Sequence, residues 1–149
     1  MSITDAALAA MLAENPDIAA NEAPDFVPTE AQEQMRLFAW IDANTEQYPA
    51  LRWAFHVPNG EYRDKATGGR LKAMGVRRGV PDVWLPISGH GFIGLEIELK
   101  RSDQSNKTTP EQDEWMAWLT EQGWHAQVCY GAASAIELMK WYLGIRQSP

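Results

Sequence analysis

Apolar residues recur at helical or strand spacing through most of the chain from Thr29 onward, and polar or turn-forming residues mark where each run stops. Leu37, Phe38 and Ile41 form a stripe that predicts a helix from about Glu30 to Asn44, with Thr29 as its cap. A strand is expected near Leu51–His56. Residues 57–80 hold Pro58, Asn59-Gly60, Gly68-Gly69, Gly75 and Gly79, a composition that predicts a long loop with a short helix around residues 69–74. Asp82–Pro86 and Gly91–Lys100, joined through Ser88-Gly89-His90-Gly91, read as paired strands. Thr109-Pro110 opens a helix to about Gln122, because proline is favoured in the first turn, and Gly123 ends it. Trp124–Tyr130 reads as a last strand and Ala132 to Leu143 as a last helix. The order α-β-(loop)-β-β-α-β-α predicts an α/β fold, a central mixed β-sheet flanked by α-helices.

Residues 5–14 could form a short amphipathic helix, stopped by Asn15-Pro16, and residues 15–28 are rich in Ala, Asn, Asp, Glu and Pro. The chain therefore divides into an acidic N-terminal helix and linker or tail over 1–28 and a compact domain over 29–149. With 149 residues, 45% of them hydrophobic, it can bury a real core. No apolar run approaches the roughly 20 residues that cross a bilayer, and the N-terminus lacks the basic-then-apolar order of a secretory signal, so a cytoplasmic location is expected. The single Cys129 excludes an internal disulfide and a thiolate zinc cluster, and its apolar surroundings read as core.

A net charge of -7 argues at first against a polyanionic partner. The distribution changes that picture. Residues 1–50 carry nine acids and one base, Arg36, whereas residues 51–80 carry seven bases (Arg52, Arg63, Lys65, Arg70, Lys72, Arg77 and Arg78) against Glu61 and Asp64. Such a run is commonly only a solvated face, and favours nucleic acid weakly by itself.

Chemistry concentrates around Leu95–Lys100. Period-two alternation puts Leu95, Ile97 and Leu99 on one strand face and Glu96, Glu98 and Lys100 on the other. Alone, that segment reads equally well as an exposed polar face with balanced charge. Pro81-Asp82 shifts the balance, since a hairpin between the two strands brings Asp82 close to Glu98. Two carboxylates and a backbone carbonyl suit a hard, oxygen-preferring cation such as Mg²⁺. A lysine among such ligands makes sense if it holds an anionic nucleophile or a phosphate. Gln112 shares a helix face with Trp115, Met116 and Leu119, so its amide is expected to point inward, and Glu30 lies on the stripe of Gln34, Leu37, Phe38 and Ile41. A first-turn Glu favoured by the helix dipole, and a first-turn Gln still in water, are the plainer readings of those two.

His56-Val57-Pro58-Asn59-Gly60, then Leu71-Lys72-Ala73-Met74-Gly75-Val76-Arg77-Arg78-Gly79-Val80-Pro81-Asp82, then Glu98-Leu99-Lys100, then Thr109-Pro110-Glu111-Gln112 together resemble the VRR-NUC (virus-type replication-repair nuclease) domain of the PD-(D/E)xK superfamily, from about Glu30 to Leu143. The resemblance implies a restriction-endonuclease-like fold and hydrolysis of DNA phosphodiesters with Mg²⁺ or Mn²⁺. It implies that Asp82, Glu98 and the carbonyl of Leu99 bind the metal, that Lys100 orients the attacking water, and that Gln112 and Glu30 match the family's glutamine after the core motif and its first-helix acid. Small stand-alone members, chiefly of phages and prophages, are similar to Holliday-junction resolvases, so a homodimer on branched DNA, with the four-way junction favoured and no nucleotide cofactor, is the expectation.

Asn59, Arg63, Lys72, Arg77 and Arg78 are read as residues that position phosphates or hold the strand, contacts that do not themselves encode sequence. Glu96, on the same strand face two residues before Glu98, could reach a metal as well, but the Glu-x-Lys spacing selects Glu98 and leaves Glu96 as a residue behind the metal ligands or a surface charge. The histidines lack metal-ligand spacing, and His56 is of interest because it precedes the loop that enters the site. A nuclease for flaps or 5′ ends would share every catalytic residue, and a DNA-binding module without chemistry would keep the fold alone. A two-carboxylate glycosidase would need an aromatic sugar platform, whereas the Trp residues fall mainly on helix stripes that read as core.

Overall fold

The computed structural model describes residues 26–59 and 65–145. The N-terminal helix expected over residues 5–14 and most of the tail lie outside the described residues.

Helix α1 runs Glu30–Asn44 and opens as the sequence predicts: the Thr29 hydroxyl accepts from Gln32 N, and the Gln32 side chain accepts from Thr29 N. A 3₁₀ turn, Pro49–Trp53, follows, then β1, Phe55–His56. The strand expected over Leu51–His56 is thus confined to its last two residues. Bonds from Leu51 N to Tyr48 O and from Ala54 N to Leu51 O tighten the chain into a turn that buries Leu51 and turns Trp53 outward. Helix α2, Lys65–Ala73, begins earlier than the short helix expected at 69–74 and buries none of its residues.

Strands β2, Val83–Leu85, and β3, Leu95–Lys100, pair antiparallel, with Val83 opposite Ile97 and Leu85 opposite Leu95. Both are shorter than expected. Pro81 and Pro86 bracket β2, and neither can donate to a ladder. Residues 91–94 lie outside β3, with Gly89 and Phe92 bridged across the turn. Helix α3, Pro110–Glu121, carries β3 over to β4, His125–Tyr130, which pairs parallel with β3. Helix α4, Ala132–Leu143, closes the order, as expected. The sheet order is β1-β2-β3-β4.

On one face of β3, Leu95, Ile97 and Leu99 pack with Leu37 and Ile41 of α1 and Met139 of α4 into the main core. The other face carries the polar residues; α3 packs against β4 and reaches this face through Gln112. Cys129 is fully buried in the core, and burial pushes its thiol up to about 11. The tryptophans correct the expectation that they are core: Trp53, Trp118 and Trp141 are about half exposed.

Candidate active site

Asp82 immediately precedes β2. Its backbone oxygen accepts from Val57 N at 2.9 Å and lies 2.8 Å from Nδ1 of His56, so β1 holds its main chain. Its Oδ2 accepts from Leu99 N at 2.8 Å, fixing the side chain across to β3 beyond the last pair of the β2 ladder. A strand residue's N–H and C=O point to the same side. The Leu99 carbonyl therefore faces Asp82 where no β2 residue remains to use it.

Glu98 stands between these groups, 1% exposed. Its Oε1 accepts from Nε2 of Gln112 and lies 3.0 Å from Nζ of Lys100, its carboxyl is within hydrogen-bonding reach of Asp82, and its Oε2 has no partner among the described residues. Burial first, and the Asp82 charge second, push Glu98 up to about 8 against the pull of Lys100. Asp82 is raised mainly by burial, opposed by the Leu99 N–H and Lys100. For Lys100, burial alone would lower the ammonium, but Glu98, Glu30 and Asp82 outweigh it and the net shift is upward. Two carboxyls brought together in a dry place, one with an unpartnered oxygen, form a donor set that fits a hard cation.

Glu30 lies 3.5 Å from Lys100 but is nearly half exposed, so its carboxylate sits at the mouth of the site and not in the buried stripe expected for it. The buried α1 positions are Glu33, Leu37, Ile41 and Asn44. Gln112 points inward as expected, and its two ends do separate work: Oε1 accepts from Thr109 N and closes the capping box, while Nε2 reaches Glu98. Asp82, Glu98, Lys100, Gln112 and Glu30 are thus brought together. Among the described residues no three His, Cys, Asp or Glu side chains form a ligand group, so a cation here would rest on two carboxylates, a backbone carbonyl and water.

The chain belongs to the VRR-NUC family. The VRR-NUC domain model matches residues 28–133. A solved structure described as a VRR_NUC domain protein superposes with a TM-score of 0.65 at 26% identity, covering 79% of this chain and 90% of that one. No curated protein matches significantly. VRR-NUC membership makes the chain a nuclease of the PD-(D/E)xK type, on an α/β fold that agrees with the sequence-based expectation.

Within this VRR-NUC domain the basic residues Lys72, Arg77 and Arg78 gather at the end of α2 and the turn that follows it. Asn59 Nδ2 donates to Arg77 O, and Arg77 Nη1 donates to Lys72 O and Val76 O at 3.2 and 3.3 Å, closing the turn after α2. Trp115 Nε1 donates to Arg78 O at 3.0 Å, pinning the same segment to α3. A cleft of about 830 Å³ lies between, lined by Asn59, Lys72, Arg77 and Arg78 with Leu71 and Val76. Arg63 lies outside the described residues.

Glu96 departs from both readings offered for it. It is fully buried, neither carboxylate oxygen has a partner among the described residues, and burial alone pushes it up to about 10, so at neutral pH it is a protonated, neutral group. A residue that sequence reasoning missed is Glu33, 3% exposed, whose Oε2 accepts from Ala132 N at 2.8 Å and ties α1 to the start of α4. Its place three residues after Glu30 and four before Leu37 was the available signal. The VRR-NUC match, and not a glycosidase, is what the comparisons show for this chain.

Proposed function

We propose that this protein is a divalent-metal-dependent, structure-specific DNA endonuclease that acts as a homodimer on branched DNA, with the four-way junction its favoured substrate. The observation that carries the reading is the meeting of Asp82 and Glu98 where the β2 ladder ends, with the Lys100 ammonium 3.0 Å from Glu98. Asp82, Glu98 and the Leu99 carbonyl would hold the ion. A Mg²⁺ or Mn²⁺ ion so bound supplies Lewis acidity that draws charge from the scissile phosphate.

The chain's own residues do the rest. Lys100, kept charged by its three acidic neighbours, holds the attacking water in place and balances charge on the phosphate. Gln112 fixes one oxygen of Glu98, and Glu30 at the mouth keeps Lys100 extended toward the solvent side. Lys72, Arg77 and Arg78 line a cleft beside the site that suits the phosphates flanking the cut. Two such sites about a two-fold axis suit a four-way junction, whose opposed strands must both be cut.

A matched panel of four-way junction, flap, nicked duplex, linear duplex and single strand, offered with Mg²⁺ and with Mn²⁺, tests the reading. Paired symmetric nicks in the junction are expected. Preferential cutting of the flap assigns the flap or 5′-end alternative, and binding without cutting under either metal assigns the inactive module.

A further inference from the structure

The face of the sheet that carries the carboxyls does not end at them. Phe55 on β1 lies opposite Trp84 on β2, and Trp84 lies opposite Glu96 on β3. Directly opposed residues share a face, as do alternate residues along a strand. Asp82, Trp84, Phe55, Glu96 and Glu98 therefore all lie on one face. Trp84 is two residues, about 7 Å, from Asp82, and Phe55 one strand spacing of about 4.8 Å further out. The two rings stack with centroids 6.2 Å apart and planes 18° from parallel, and Trp84 is braced behind by the edge of Trp124 at 5.4 Å and by a bond from its Nε1 to Pro81 O at 3.0 Å.

Phe55 is 45% exposed on the edge strand of the sheet. The neighbouring 3₁₀ turn adds Trp53, 57% exposed, with the Arg52 guanidinium 5.0 Å from its ring centre. The core takes only Leu51 and Ala54 from the Leu51–Phe55 segment, so it does not require Trp53 and Phe55 to be exposed here.

We propose that Phe55, backed by Trp84, is a stacking ledge for an unpaired nucleobase of the strand being cut, adjacent to the scissile phosphate. The proposal rests on the nuclease reading above and narrows its substrate class to DNA with an unpaired or easily unstacked base at the branch. Three observations select a nucleobase as the occupant. The ledge is continuous with the carboxyl site on the same sheet face and lies about one nucleotide's reach from it. A rigid planar ring with a free face suits the π-face that every base offers. A cation, Arg52, lies over the Trp53 ring three residues before Phe55 in the chain, the combination of aromatic and basic groups by which single-stranded segments are held. Base pairs in continuous duplex keep their faces covered, so only bases released at a branch, flap or end can use the ledge, and those cost least to extrude.

The test uses the full chain with metal omitted, so that binding is read without cutting. A four-way junction, a flap carrying 2-aminopurine at the unpaired nucleotide beside the branch, and linear duplex are titrated with the wild type, Phe55→Leu and Phe55→Trp. The expected result is quenching of the 2-aminopurine by the wild type, a loss of flap affinity of about tenfold in Phe55→Leu with duplex affinity unchanged, and recovery in Phe55→Trp, all at unchanged melting temperature. Equal weakening on flap and duplex, no weakening at all, or a change in sedimenting mass in Phe55→Leu, which would make the patch a contact between copies, overturns the ledge while leaving the nuclease reading intact. A wild type that binds none of the DNAs overturns both.

Discussion

The side-chain amide of Gln112 donates to Oε1 of Glu98, tying the first turn of α3 to β3. One Glu98 oxygen is thereby occupied by Gln112 and Lys100, and Oε2 has no partner among the described residues. Gln112→Glu keeps a side chain that can close the capping box but replaces the donor with a fourth acid beside Asp82, Glu98 and Glu30. Cleavage is expected to fall by about 10- to 100-fold while the melting temperature stays close to wild type. Unchanged cleavage would remove Gln112 from the site.

Gly79 shows how closely the basic segment is applied to α3. Its φ is +81°, and a Cβ there would lie 2.5 Å from the Glu111 carbonyl carbon and 2.8 Å from Gln112 N. Gly79→Ala must therefore push away the turn that carries Gln112, as well as adopt a left-handed conformation. The expected outcome is a stability loss of more than about 1 kcal/mol in denaturant titration, together with reduced cleavage at a temperature where the variant is still folded. Full activity in the folded variant would show that the Gly79–Glu111 approach does not position the site.

Glu33 makes a different kind of prediction, confined to folding. Its buried carboxylate accepts from the first N–H of α4, where the helix dipole favours negative charge. Glu33→Ala leaves that N–H unpaired and is expected to cost about 1–3 kcal/mol, with Glu33→Gln costing less. Denaturant titration of the two variants reads the difference.

Glu96 sets a pH dependence. Burial raises it from an ordinary 4.5 to about 10, so above pH 4.5 the unfolded chain releases a proton that the folded chain keeps. Its contribution to stability is fully present below about pH 4.5 and is lost progressively as the pH rises toward 10. Glu96→Gln removes that loss. Melting curves in chelator should show a gain over wild type that grows from about pH 5 to about pH 9, and a difference independent of pH would contradict the burial account.

The helices were legible because their signals are local: Thr29 and Thr109 cap, Pro110 opens, Gly123 stops at a φ of +91°, and all act within a few residues. The meeting of Asp82 with Glu98 was legible too, since strand alternation and one hairpin suffice to bring them to the same end of a pair. What stayed hidden depends on which element covers which face. No alternation in residues 95–100 says that the polar face is itself covered, and that burial is what makes Glu96 a neutral acid and not a surface charge. Glu33 was missed for a related reason: the stripe was drawn through Glu30, Gln34, Leu37, Phe38 and Ile41, whereas α4 also takes in Glu33 through its bond to Ala132 N. Leu51–Trp53 has strand-like composition, but its backbone closes i to i+3 bonds after Pro49 before any partner strand is reached.

The most direct test of the catalytic assignment is single-turnover cleavage of a four-way junction, with junction binding measured in parallel, for the wild type, Asp82→Asn and Lys100→Ala, each with Mg²⁺, with Mn²⁺ and with chelator. The account predicts cutting by the wild type only when a divalent ion is present, and a loss of about a hundredfold or more in both variants with binding retained. Cutting that persists in chelator, or in Lys100→Ala at the wild-type rate, would contradict it.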